Sequence, residues 1–226
     1  MFDRLRALLV EPRVVLDAGC GTGALARGLV HDATRIDAID PSAAMLTAAQ
    51  RLPNGADPRI RWQQATAEDA VLSGPYGLIT CGASLHWMRH DAVLPRFRSA
   101  LAPKARLAIV DTERVREEDE LRREVVALIV RYSPVRDHEE TPDVVTRLAR
   151  NGAFVLEGEE RTAPVPFEQS VEEYVASLGS TASLSRATLG PRADDFAREL
   201  SALFKRNGVD RVRFGIVGYV AWGRPA

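Results

Sequence analysis

The run Asp17-Ala18-Gly19-Cys20-Gly21-Thr22-Gly23 places three glycines at alternate positions directly after an apolar stretch. Glycines permit a tight turn and let a ligand approach bare backbone, and a helix N-terminus just beyond them favours anionic groups. A second acid, Asp40, stands 21 positions after Gly19, at the end of the next apolar run. A carboxylate there can accept hydrogen bonds from both hydroxyls of a ribose. Turn, context and spaced acid together point to an adenosine-type ligand laid across the carboxyl ends of two adjacent strands. The plainer alternative is a tight turn that binds nothing and an Asp40 that only caps a helix. Farther along, His86 follows the fourth apolar run, at the edge where ligands of open α/β sheets collect. It is the candidate base or acceptor contact, against the simpler role of orienting its loop. Trp87 is the candidate pocket wall, with core packing as the equal alternative.

The elements that must position these residues follow from periodicity. Arg13 to Ala18 and Thr34 to Ile39 read as buried strands, with a helix from Ala24 to Val30 between them. Pro41 suits the first turn of the next helix, since its missing N–H has no intrahelical partner there. That helix carries Ala44, Met45 and Ala48 on one face and stops near Pro53-Asn54-Gly55. Strands at Arg59 to Gln63, Tyr76 to Cys81 and Arg106 to Asp111 complete a βαβα rhythm. This rhythm implies a mostly parallel sheet covered on both faces. After Asp111 the rhythm breaks. A charged helix spans Val115 to Tyr132, another runs from Thr141 to Asn151-Gly152, and a strand spans Phe154 to Val165. Ser170 with Glu173 forms a capping box. A helix from Ala193 to Arg206 precedes a closing strand marked by Val212, Phe214, Ile216, Val220 and Trp222. The expected organisation is one domain: residues 1–112 as the ligand-binding half, 113–210 as cap helices and a sixth strand, and 211–226 as the closing strand.

Composition narrows the class. The 226 residues carry 30 basic and 31 acidic side chains, a formal net charge of −1, which argues against a nucleic-acid binder relying on a basic face. Two cysteines, Cys20 and Cys81, are too few for a disulfide framework or a four-ligand zinc site. No metal site is expected. The N-terminus is charged where a signal peptide needs an apolar run, and no apolar run approaches the roughly 20 residues of a membrane span. Lys104 and Lys205 are the only lysines, a bias that points to a GC-rich coding genome and a bacterial, cytoplasmic setting.

Val14-Val15-Leu16-Asp17-Ala18-Gly19-Cys20-Gly21-Thr22-Gly23 resembles the first motif of the class I S-adenosylmethionine-dependent methyltransferases. The likeness continues through Ile39-Asp40-Pro41-Ser42-Ala43-Ala44-Met45-Leu46, Ala65-Thr66-Ala67-Glu68-Asp69, Leu78 to Met88, and Leu101-Ala102-Pro103 with the strand after it. It covers roughly residues 5 to 112 and is nearest to the small-molecule branch with the trans-aconitate and ubiquinone-type enzymes. The resemblance implies a Rossmann-like, doubly wound, mostly parallel seven-stranded sheet with an antiparallel last strand and an inserted helical cap. It implies S-adenosyl-L-methionine as cofactor, its methionine end at the glycine turn, its ribose on Asp40 and its adenine near Ala67 and Glu68. The implied cofactor set is Asp17, Gly19, Cys20, Gly21, Gly23, Asp40, Pro41, Met45, Ala67, Glu68 and Cys81, with His86 as the catalytic candidate and Trp87 in the acceptor pocket. Arg131, Tyr132 and His138 fall in the cap, where family members build acceptor specificity. The expected partner is a small-molecule acceptor, with a homodimer as an option and neither nucleic acid nor membrane.

Three departures stand out. Gly77 replaces the family's usual aspartate, and Lys104-Ala105 replaces a Gly-Gly turn. The first motif also begins about a dozen residues from Met1, where relatives place helices over the cofactor. An open cofactor mouth is therefore expected, or one closed by the cap or a second subunit, or a biological start upstream of Met1. Methyl transfer from a sulfonium is an in-line displacement in which positioning and water exclusion supply much of the rate. A base is needed only for a protonated acceptor. Two other readings stay open: a regulatory protein that binds the cofactor without turnover, and a nicotinamide-dependent oxidoreductase, since Gly19-x-Gly21-x-x-Ala24 also fits the loosest dinucleotide pattern.

Overall fold

The computed structural model describes residues 1–116, 119–134, 139–181 and 183–226. In chain order the elements are α1 (Phe2–Leu8), β1 (Val14–Ala18), α2 (Ala24–Leu29), β2 (Arg35–Asp40), α3 (Ala43–Arg51), β3 (Ile60–Gln64) and β4 (Tyr76–Gly82). A 3₁₀ turn (Leu85–Trp87), α4 (His90–Ala100), β5 (Leu101–Val115), α5 (Glu120–Tyr132) and α6 (Thr141–Arg150) follow. The chain closes with β6 (Phe154–Arg161), β7 (Val165–Ser170), α7 (Val171–Gly179), α8 (Arg186–Leu189), α9 (Arg192–Arg206) and β8 (Arg211–Pro225).

The sheet order is β3-β2-β1-β4-β5-β8-β6, with β7 pairing β8 off this path. The β1–β2, β1–β4, β2–β3 and β4–β5 pairs are parallel, and β8 runs antiparallel to β6 and β7. The expected α/β, doubly wound architecture is present, with one strand more than the seven anticipated. The 15 residues of β8 are long enough to pair β6 through Tyr219–Pro225 and β7 through Arg211–Ile216. The anticipated strand from Phe154 to Val165 therefore ends at Arg161, and β7 is separate. Likewise β5 runs on to Val115, and the helix expected from there starts only at Glu120, where the Asp119 side chain accepts the Arg122 N–H.

The chain divides into two compact units, each with its own core. The first comprises residues 1–112, 139–162 and 218–226. Alternating strand residues feed its two faces, since successive side chains of a strand point to opposite sides. Leu16, Ile79, Leu107 and Ile109 pack with Phe97 of α4 and Val144, Val145 and Leu148 of α6. Val15, Leu78, Ala108 and Val110 pack on the other side with Leu5 of α1 and Leu25, Ala26 and Leu29 of α2. The Met1–Val10 segment is ordered. Besides Leu5 in the core, Phe2 lies against Gly28, Arg6 pairs with Asp32, and Arg4 pairs with Glu160 and lies over the Trp222 ring. Its end also explains Gly77: a Cβ there would lie 1.9 Å from the Val10 carbonyl oxygen, which leaves no space for the family's aspartate. Lys104 and Ala105 lie within β5, and neither needs the positive φ that a Gly-Gly turn serves.

The second unit comprises residues 113–138 and 163–217. Its core joins Leu121, Val125 and Leu128 of α5, Val171 and Leu178 of α7, Phe196, Leu200 and Phe204 of α9, and Val212 and Phe214.

Candidate functional site

β1 is buried along its whole length and ends in Asp17-Ala18 directly before the glycines. Gly19, Gly21 and Gly23 all adopt positive φ, at 67°, 55° and 71°, so the turn needs glycine on backbone grounds at each. Their surroundings differ. A Cβ at Gly19 would meet the Ser84 side chain at 2.5 Å, and one at Gly23 would meet the Trp62 ring at 2.3 Å. A Cβ at Gly21 would meet nothing within 4 Å. The turn is thus closed by protein at its ends and open at its middle glycine.

Asp40 ends β2 beside this opening. One carboxylate oxygen accepts the Gly21 N–H at 2.8 Å, and the other accepts the Ser42 N–H at 2.8 Å. The Cys20 N–H donates to the Ile39 carbonyl at 2.9 Å. Asp40 therefore joins the glycine turn to the start of α3. An ionised carboxylate offers about four lone-pair positions, and these two bonds leave about two of them unused.

Asp17 is 1 % exposed and faces inward. Its carboxylate accepts the Ala26 N–H at 3.1 Å and the Thr80 hydroxyl at 2.9 Å. Gly23, the N-cap of α2, has no side chain to cap it, so Asp17 supplies the acceptor from the neighbouring strand. Burial pushes the Asp17 carboxyl up to about 6; its two hydrogen bonds act downward and the nearby Asp40 charge upward.

Pro41 is exposed, and its carbonyl accepts from the Gln64 amide at 3.3 Å. Met45 is 43 % exposed on α3, whereas Leu46 and Ala49 turn inward, so the Ala44, Met45, Ala48 face lies outward. Ala67 is buried in the loop after β3, and Glu68 in that loop accepts the Arg89 N–H at 2.8 Å. Cys81 is fully buried on β4 and Cys20 partly so; burial raises both thiols well above the ordinary range, so neither is a ready nucleophile.

β4 delivers the second turn. Ala83 takes φ +48°, unusual for a residue with a Cβ, and its N–H donates to the Val110 carbonyl at 2.8 Å. The Ser84 hydroxyl donates to the Ala18 carbonyl at 2.7 Å. His86 lies half-buried on the 3₁₀ turn, its ring 4.9 Å from that of Trp87, which is 61 % exposed. α6 packs on this turn. His90 starts α4, and its Nε2 lies 3.0 Å from the Leu85 carbonyl. In the second unit Arg131 and Tyr132 both reach Glu199, while His138 lies outside the described residues.

The structure thus brings Gly21 and Asp40 together at one opening beside Cys20, closes the flanking Gly19 and Gly23 with Ser84 and Trp62, and buries Asp17 and Cys81 in the interior. Sequence reasoning missed Trp62, Thr80 and Ser84. Thr80 pairs with Asp17 in the parallel β1–β4 register, and only that register reveals its role. Among the described residues no group of three His, Cys, Asp or Glu could hold a metal ion, and no helix is long and apolar enough to cross a membrane.

Residues 15–104 match the family model of the methyltransferase domain. A malonyl-[acyl-carrier protein] O-methyltransferase of Anoxybacillus flavithermus is 35 % identical over 88 residues, covering 37 % of this chain and 32 % of that enzyme. An uncharacterized protein of Synechococcus is 39 % identical over 128 residues, covering 54 % of this chain and 30 % of its own length. The chain spans about a third of the length of these curated relatives. A solved structure from Anaeromyxobacter dehalogenans, described as a candidate type II methyltransferase, superposes with a TM-score of 0.66. It covers 99 % of this chain and 94 % of that one at 24 % identity, a likeness of fold.

Proposed function

We propose that this chain, whose residues 15–104 match the methyltransferase-domain family model, is a class I S-adenosylmethionine-dependent methyltransferase that binds S-adenosyl-L-methionine at the Gly19–Gly23 turn and Asp40 and methylates a small-molecule acceptor. The observation that carries this reading is the Asp40 carboxylate. It is held by the Gly21 and Ser42 N–H groups with about two acceptor positions to spare, the number a ribose diol uses. The open space at Gly21 supports the fit, since a ligand can lie against that backbone without meeting a side chain. When bound, the cofactor supplies an electrophilic methyl group.

The chain's own residues bind and orient. Gly19 to Gly23 present bare backbone to the methionine end, and Asp40 fixes the ribose. Pro41 just before α3 and Met45 in its first turn lie next to Asp40 in sequence, and Ala67 and Glu68 lie on the loop after β3, where the adenine is expected. Asp17 acts from beneath as a positioning residue. His86 and Trp87, on the turn after β4, face the acceptor in this reading. His86 would take a proton from a phenol or alcohol and would only orient a carboxylate, which needs no base. The carboxylate case is favoured by the similarity to malonyl-[acyl-carrier protein] O-methyltransferases.

Calorimetric titration of the folded chain with S-adenosylmethionine, S-adenosylhomocysteine and NAD tests the proposal. Binding of the first two but not of NAD is expected. Asp40→Ala should weaken S-adenosylhomocysteine by at least about 100-fold, the lower end for two charge-assisted hydrogen bonds. Absence of S-adenosylhomocysteine binding would overturn the reading, and NAD affinity in its place would favour an oxidoreductase. Binding without cofactor consumption across a broad acceptor panel would favour a regulatory role.

A further inference from the structure

The segment carrying His86 and Trp87 is pinned at both ends, once to the last residue of β1, directly before the glycine turn, and once to the loop after β3. At one end the Ser84 hydroxyl donates to the Ala18 carbonyl at 2.7 Å, and its Cβ fills the space that a Gly19 side chain would need. At the other end the Arg89 N–H, at the N-cap of α4, donates to the Glu68 carboxylate at 2.8 Å. The loop bearing Glu68 is itself tied to the ribose-side acid, because the Ala65 N–H donates to the Asp40 carbonyl at 3.2 Å. Two hydrogen bonds, joined by the short stretch of backbone from Ala65 to Glu68, therefore link the Asp40 peptide to the acceptor-side turn. The Arg89 N–H is one of the donors that a helix start leaves without an internal partner, and Glu68 provides the acceptor.

We propose that Glu68 is a positioning residue that couples cofactor occupancy to the order of the His86–Trp87 turn, so that cofactor binding prepares the acceptor side. The inference rests on the cofactor reading above. It assigns Glu68 a partner other than adenine: its carboxylate serves Arg89, and the loop backbone is left to meet the ligand. A link of this kind favours cofactor binding before acceptor binding, because the turn is fully held only when the 65–69 loop is.

Hydrogen–deuterium exchange on the intact chain tests it, comparing wild type, Glu68→Ala and Glu68→Gln with and without saturating S-adenosylhomocysteine. Without ligand, exchange across residues 84–90 should rise about tenfold in Glu68→Ala, for one lost charge-assisted bond. Glu68→Gln, which keeps an acceptor oxygen, should stay within about threefold of wild type. With ligand, wild type should gain protection over both 65–70 and 84–90, and Glu68→Ala over 65–70 alone. Unchanged exchange over 84–90 in unliganded Glu68→Ala, or equal ligand protection there in Glu68→Ala and wild type, would overturn the link. If S-adenosylhomocysteine protects nothing in wild type, the cofactor reading fails, and the unliganded comparison still decides whether Glu68 holds Arg89.

Discussion

Asp17 is the residue at which expectation and structure diverge most usefully. Its place in the motif suggested a cofactor contact, yet both oxygens are used by Ala26 and Thr80 inside the protein. Its cost is electrostatic: a fully buried carboxyl raised from 3.8 to about 6 resists ionisation. Because the folded value exceeds the unfolded one, the native state holds more protons between the two. Stability from this group is thus greatest below pH 4 and falls as pH rises toward and past 6. The loss amounts to about 3 kcal/mol at neutral pH. Asp17→Asn should flatten this segment of the stability–pH curve and raise stability above pH 7 by about 1–3 kcal/mol. The Thr80 hydroxyl can turn to the Leu16 carbonyl, 3.4 Å away, and accept from the new amide. Chemical denaturation between pH 4 and 8 checks this, and parallel curves for the two proteins would refute it. Asp40 was legible in the sequence because its spacing from Gly19 is a property of the chain. The inward turn of Asp17 was not, because Thr80 lies 63 positions away.

Among the elements, α2 and its approach depend most on distant partners. Gly23 has φ +71° as N-cap, and the Trp62 ring fills the space beside it while its indole N–H donates to the Gly55 carbonyl at 3.0 Å. Arg27 adds bonds to the Thr22 and Pro53 carbonyls at 3.1 Å. Gly23→Ala should cost stability for two reasons: left-handed strain of about 1–2 kcal/mol and displacement of the indole. Trp62→Ala should recover the second part alone. A double-mutant cycle read by denaturation and by S-adenosylhomocysteine affinity checks this, and strict additivity would refute the coupling. The βαβα order was legible from periodicity, as was the Ser170–Glu173 capping box, because a cap is written within four residues. The separate β7 and the late start of α5 were not. Each depends on how far β8 and β5 extend beside partners remote in sequence.

At the scale of the molecule, the two units hold separate cores, and the residues proposed for the cofactor and the acceptor turn belong to the first. Phe196, 1 % exposed in the second core with its ring 5.4 Å from that of Tyr132, supports a clean test. Phe196→Ala should destabilise the second unit by about 3–5 kcal/mol. S-adenosylhomocysteine affinity should stay within about threefold, since no cofactor contact is touched. Thermal unfolding alongside calorimetry checks this, and an affinity that falls with stability would refute the independence. The sequence by itself determined the strand-and-helix order, the glycine turn and the acid that follows it. Those signals are local, carried by period, residue type and short spacing. Only the tertiary structure decided which carboxylate faces the opening and which props the turn, why Gly77 must lack a side chain, and that Ser84 and Glu68 clamp the His86–Trp87 turn. Those outcomes are contacts between segments far apart in the chain, and they exist only once the parallel register brings the segments together.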